Sequence, residues 1–147
     1  PSPTATPEGL VAELYRSVSW KAGETADWAK VRSLFFPSAV VFLRTSRTTS
    51  AAFTVEGFID DFVTFANRDE VKKNGFGERI VATKATVFRD IAQILVLYEA
   101  RIPNSPRGPQ QGVDSFQLIR TDGRWWIIGI ANDIVTAENP APPALRD

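Results

Sequence analysis

The chain has 147 residues, 44% of them apolar and 23% charged, the balance of one compact domain over 1–147 with a single core. Seventeen Lys and Arg offset seventeen Asp and Glu, so there is no excess positive charge to neutralise phosphates, and nucleic acid is not an expected partner. The absence of His, Cys and Met removes imidazole and thiolate metal sites, Ser-His and Cys-His nucleophiles, and disulfides, so chemistry is left to Asp, Glu, Lys, Arg, Tyr and hydroxyl groups.

The Pro/Thr/Ser-rich opening, residues 1–6, reads as a flexible lead-in, and a start at Pro1 suggests processing or trimming. Thr6-Pro7-Glu8 then combines a hydroxyl cap, a first-turn proline and an acid at the positive end of the dipole. Leu10, Val11, Leu14, Tyr15 and Val18 follow as one helical stripe. A second short helix is expected from a Thr25 cap, with Trp28, Val31, Leu34 and Phe35 on one side and Pro37 as its stop. Ala39 to Thr45 reads as a strand and Ser46 to Ser50 as a polar loop. A third helix, capped by Thr54, carries Val55, Phe58, Ile59, Phe62 and Phe65 and is expected to end by Asn74-Gly75.

From Glu78 onward the period changes to two. Strands are expected over Arg79 to Phe88, Ala92 to Ile102, Gly112 to Thr121 and Arg124 to Val135, with tight turns at Arg89-Asp90 and Asp122-Gly123. Pro103 to Gln111 is a longer loop whose composition suits either a cover over a cavity or a dimer contact. Residues 139–147, with three prolines, read as a flexible tail. The fold class is therefore α+β: three N-terminal helices packed on a strongly curved mixed or antiparallel sheet that forms a cone with an internal pocket. Leu95 and Leu97 alternate with Ile94, Val96 and Tyr98, and Trp126 and Ile128 alternate with Trp125 and Ile127. A second apolar face implies cover from outside the chain, and a homodimer through the outer sheet face is expected. No apolar run is long enough for a membrane span. The protein is expected to be soluble, with the compartment open between cytoplasm and export after signal cleavage.

The order of elements resembles the nuclear transport factor 2-like superfamily, the cone fold that includes ketosteroid isomerase, SnoaL-like cyclases, scytalone dehydratase and limonene epoxide hydrolase. The resemblance spans Glu8 to Thr136. It is carried by Asp27-Trp28 with Val31 and Leu34-Phe35, by Pro37-Ser38-Ala39-Val40, and by the hairpin from Gly112-Val113-Asp114-Ser115-Phe116 through Asp122-Gly123-Arg124-Trp125-Trp126. It implies a cavity between the helices and the concave sheet face, a small hydrophobic ligand and no cofactor or metal.

The ketosteroid isomerase pattern implies a first-helix tyrosine, matched by Tyr15, and a protonated meander-strand acid, matched by Asp114. Its base position falls near Leu43, which carries no proton. The epoxide hydrolase pattern of an arginine between acids is met loosely by Glu99 and Arg101, with Asp133 or Asn132 approaching from the last strand. The histidines on which scytalone dehydratase depends are missing. Asp114 shares a strand face with Phe116 and Leu118, so desolvation is expected to raise its pKa, the alternative being an ion pair with Arg101 or Arg44. Tyr15 and Asp114 are the catalytic candidates, as hydrogen-bond donors. Glu99, Arg101, Phe116, Asn132 and Phe42 are the substrate-binding candidates, Glu99 and Arg101 being also readable as a simple ion pair. Two functions fit these residues: a cofactor-independent isomerase, cyclase or hydrolase, and a non-catalytic ligand-binding or protein-interaction domain.

Overall fold

The computed structural model describes residues 2–146; Pro1 and Asp147, the outer ends of the two expected tails, lie outside the described residues. Helix α1 (Pro7–Ser17) begins as its sequence dictates, with the Thr6 hydroxyl accepting from the Gly9 amide at 3.0 Å. Leu10, Val11, Leu14 and Tyr15 form its buried face. A two-residue strand, β1 (Trp20–Lys21), follows. Helix α2 (Trp28–Ser33) is capped by Asp27, whose carboxylate accepts from the Lys30 amide at 3.1 Å. The expected Thr25 cap lies two residues too early, because the aspartate offers the stronger, charged acceptor directly before the helix.

Strand β2 (Phe35–Arg44) also starts earlier than the expected Ala39. The second helix thus ends at Ser33, ahead of the expected stop at Pro37, and Phe35 and Pro37 belong to the strand, the proline being tolerated in the irregular stretch between Phe35 and Val40. The supposed end of the polar loop is a further strand, β3 (Ser50–Phe53), paired antiparallel with β2 from Ser50 opposite Arg44 to Phe53 opposite Val41. Ala51 and Ala52 carry no strand propensity; the pairing makes this strand. The single helix expected up to Asn74 is two, α3 (Val55–Ala66) and α4 (Asp69–Asn74), separated where Arg68 turns extended at ψ 139°. Gly75 ends α4 at φ 82°, and a β-carbon there would lie 2.7 Å from the Trp20 carbonyl oxygen.

Four long strands complete the sheet: β4 (Gly75–Phe88), β5 (Ile91–Arg101), β6 (Gln110–Thr121) and β7 (Arg124–Ile134). The seven strands lie in the order β1-β4-β5-β6-β7-β2-β3, antiparallel except for β2 beside β7, so the sheet is mixed. Asp122 and Gly123, at φ 54° and 77°, form the expected two-residue hairpin turn.

The helices cover the concave face. Leu10, Val31, Ile94, Phe116, Leu118 and Ile127 meet there with 1% exposure or less, and Trp20, Phe62, Phe65 and Phe76 form an aromatic cluster at the β1–β4 end. The outer face needs less outside cover than its sequence suggests. The segment expected as a flexible tail docks on it, Ala141 and Leu145 packing with Leu97 beside Leu95 and Val113, because burying Leu145 to 2% exposure removes that apolar surface from water. Val40, Phe42 and Ile128, at the other end of the outer face, stay exposed. No helix among the described residues is long and apolar enough to cross a membrane.

Candidate functional site

A cavity of about 600 Å³ opens between α1, α3 and the concave sheet face. Its apolar wall includes Leu14, Val18, Val41, Phe58, Phe76 and Ile130, and its polar groups are few and convergent. Register sets them. Asp114 on β6 faces Val96 on one side and Asn132 on the other, while Tyr98 on β5 faces Gly112. A β-carbon at Gly112 would collide with the Tyr98 ring, so this glycine gives the phenol its place over the strand.

These side chains form one network. The Tyr15 hydroxyl donates to Asp114 Oδ2 at 2.5 Å, and the Asn132 side-chain amide donates to Asp114 Oδ1 and to the Tyr98 hydroxyl, both at 2.9 Å. Asp114 therefore holds two donors in the form of a carboxylate. Burial pushes its pKa up, and Tyr15 and Asn132 pull it back, to a value of about 6. Tyr15 and Tyr98 are both raised from the ordinary tyrosine value, by burial first and by the Asp114 charge second, so both stay protonated at neutral pH. Tyr98 accepts from Asn132 and donates to nothing among the described residues, which leaves its proton free for a ligand.

Across the cavity, Glu78 on β4 is the opposite case. Its backbone is fixed by Ser19, whose hydroxyl accepts from the Glu78 amide at 3.0 Å and donates to the Glu78 carbonyl at 3.2 Å. Its carboxyl has no hydrogen bond or ion pair among the described residues. Desolvation first and the Asp114 charge second raise it to about 8. Glu78 and Asp114 each keep some surface, and that surface opens onto the cavity.

The structure thus brings Tyr15, Asp114 and Asn132 together, but not as two donors aimed at a ligand, since the Tyr15 proton is held by Asp114 itself. The alternative ion pair of Asp114 with Arg44 or Arg101 does not form; Arg44 lies 3.5 Å from Asp133 instead. Arg101 stands at the cavity mouth. Glu99 lies outside the cavity and bonds Arg79 on β4 at 3.2 Å, because alternation along β5 sends Tyr98 and Ala100 inward and Glu99 outward. It is a cross-strand ion pair rather than a partner of Arg101. Phe116 is fully buried beneath Tyr15, with ring centroids 6.2 Å apart, and is core rather than lining. Phe42, 49% exposed, faces a shallow hollow on the outer side. The Pro103 to Gln111 loop lies at the mouth, where Ser105, Arg107 and Gly108 line the cavity.

Two site residues escape the sequence reading, Glu78 and Tyr98. The signal for Glu78 is its alternation with Phe76 and Ile80, which becomes visible only once β4 is started at Gly75. Tyr98 stands inside an apolar run and reads there as one more core aromatic. No cluster of three metal-ligating side chains exists among the described residues.

No family model matches the chain, and no curated protein matches it in sequence. Solved structures do match in shape. A nuclear transport factor 2-like protein of unknown function from Pseudomonas putida superposes with a TM-score of 0.68 over 95% of this chain and 93% of its own, at 10% identity. A candidate scytalone dehydratase from Novosphingobium aromaticivorans gives 0.66 over 94% and 87%, at 11% identity. An uncharacterised protein with a cystatin-like fold from Caulobacter vibrioides gives 0.66 over 89% and 88%, at 13% identity. The chain has the nuclear transport factor 2-like cone fold, and the likeness reaches no further than the fold.

Proposed function

We propose that the cavity is the active site of a cofactor-independent enzyme that moves protons on a small, largely apolar substrate. The observation that carries this reading is the pair of desolvated carboxyls in one cavity, one held by Tyr15 and Asn132 and the other without a partner. Two acids whose environments separate their pKa values divide the roles of base and acid. Near pH 7 Asp114 is mostly ionised and Glu78 mostly protonated. Asp114 then takes a proton from carbon beside a substrate carbonyl, Glu78 gives one to the carbonyl oxygen, and the free Tyr98 proton stabilises charge developing there. Return of the proton to a different carbon is an isomerisation. Tyr15 is a positioning residue, keeping Asp114 aimed and ionised. A neighbour in shape is a candidate scytalone dehydratase, and proton transfer of this kind is also the chemistry of a dehydration.

The test is deuterium uptake from solvent into 2-tetralone, an enolisable flat ketone, followed by proton NMR. Exchange above the buffer rate is expected, rising with pH through about 6 as Asp114 ionises and falling through about 8 as Glu78 loses its proton. Asp114→Asn and Glu78→Gln should each remove it, while Glu99→Gln should not. Tight binding of the ketone with no exchange above the blank would sink catalysis and leave a ligand-binding module.

Val40, Phe42 and Ile128 on the outer face supply the surface for the homodimer we also propose, since the docked C-terminal segment leaves that end of the sheet bare. Light scattering at micromolar concentration should give twice the chain mass, and Phe42→Glu should return it to one.

A further inference from the structure

Charge is distributed unevenly around this cavity. The chain is neutral overall, yet the lining residues nearest solvent include Arg44, Arg68, Arg101 and Arg107 against one acid, Asp61. They come from four separate places, the end of β2, the break between α3 and α4, the end of β5 and the Pro103–Gln111 loop, so no single surface helix or strand explains their meeting. Elsewhere Arg16, Arg32, Arg79 and Arg120 are held by Glu13, Glu56, Glu99 and Asp90. Arg68, Arg101 and Arg107 have no acidic partner among the described residues, and Arg68 only lies over the Phe65 ring at 5.3 Å. Arg44 differs from these three: it donates to the Ser50 hydroxyl at 3.2 Å and to the Arg47 carbonyl, and lies 3.5 Å from Asp133.

We propose that the ligand of this cavity is amphiphilic, an apolar body carrying an oxyanion group such as a carboxylate that is gripped at the mouth by Arg101 and Arg107, with Arg68 flanking. The inference rests on the reading of the cavity as a substrate site and adds the substrate's chemical class and orientation. A cavity of about 600 Å³ is far larger than a bare inorganic anion requires and suits a molecule of two or three rings. The interior rejects a second negative charge, because Asp114 already stands there, desolvated. The anionic end therefore stays at the arginines and the apolar end goes inward, toward Phe58 and Ile130 and the two carboxyls. The planar guanidinium fork matches a carboxylate in two parallel hydrogen bonds, and no lysine lines the site.

The probes are 2-naphthoate and its neutral analogue 2-naphthamide, measured by calorimetry at pH 7 in low and high salt. Naphthoate is expected to bind about tenfold tighter at low salt. The advantage should shrink in high salt and vanish in the Arg101→Gln/Arg107→Gln double variant, with naphthamide affinity unchanged. Arg79→Gln, an exposed arginine outside the cavity, should change neither. Equal affinities in the native protein, or an advantage that survives the double variant, would overturn the proposal alone. Failure of both probes to bind would overturn it together with the reading of the cavity as a ligand site. Naphthoate selectivity without proton exchange into 2-tetralone would uphold it while the catalytic reading fell.

Discussion

Asp114 and Glu78 are both carboxyls, both desolvated, on strands separated only by β5, yet the fold treats them differently. Asp114 on β6 is met by Tyr15 from α1 and Asn132 from β7. Glu78 sits on β4, where Ser19 fixes its backbone and its carboxyl has no partner among the described residues. Desolvation is the largest cause of the upward shift in both; hydrogen bonds from Tyr15 and Asn132 hold Asp114 near 6, while Glu78, without them and beside the Asp114 charge, rises to about 8. Hydrogen bonding to the charged form of Asp114, together with the charge that Asp114 then presents to Glu78, separates the two roles.

The largest consequence falls on stability. For Glu78 the folded value, about 8, lies above the ordinary 4.5, so between these pH values the folded chain binds more protons than the unfolded chain. Stability then falls as pH rises through that window, and is unaffected by this group below it. The full difference is about 5 kcal/mol, less in practice because the carboxyl faces a cavity that water enters. Asp114 adds a smaller loss of the same sign between 3.8 and about 6. Urea unfolding should therefore show the native protein losing stability steadily between about pH 4.5 and 8, with little further change from this group above that. Glu78→Gln should flatten that limb and be more stable than the native chain at pH 9 by several kcal/mol, the two converging near pH 4. A native stability curve flat above pH 6 would mean that Glu78 is not desolvated, and the contrast between the two acids would disappear.

A second way to break the contrast is to disturb the phenol on β5, the strand between the two acids. Gly112→Ala places a methyl group against the Tyr98 ring, and such overpacking costs about 1–3 kcal/mol. The loss should be largely recovered in the Gly112→Ala/Tyr98→Leu double variant, where the ring is gone. If the double variant loses the sum of both single effects, Gly112 does not make room for Tyr98. Denaturant midpoints of the four proteins give the answer.

Much of this arrangement can be read from the sequence because its signals are local. The Thr6-Pro7-Glu8 start, the Thr54 cap, the Asp122-Gly123 turn and the period of two after Glu78 are each written within a few residues. Asp114 is legible for the same reason, as an acid alternating with Phe116 and Leu118. What escapes depends on partners distant in sequence. β3 exists because β2 lies beside it, and Pro37 is tolerated because the ladder is interrupted there. Leu145 is ordered because Leu97 offers apolar surface. The partner of Tyr15 is 99 residues away, and no spacing reveals that its proton is already committed. Phe116 and Phe42 fail as lining residues for a related reason: the period of two says that two residues share a face, and only the tertiary fold says where along that face the core ends and the cavity begins.

The smallest expected effect sharpens the comparison most directly. Tyr15→Phe keeps the ring packed against Tyr98 and Phe116 and removes only the donor to Asp114 Oδ2. Since that hydrogen bond lowers the Asp114 pKa, its loss should raise the carboxyl midpoint from about 6 by roughly one unit, toward Glu78. Carboxyl carbon-13 titration, assigned with Asp114→Asn, follows both acids in one experiment. The Glu78 midpoint should respond in the other direction: a more protonated Asp114 repels it less, and Asp114→Asn should lower it outright. Proton exchange in Tyr15→Phe should keep its bell shape with the acid limb displaced upward, a change in profile that a purely structural tyrosine would not cause. An Asp114 midpoint that stays near 6 without the hydroxyl would show that Asn132 alone holds the carboxylate and that α1 contributes packing only.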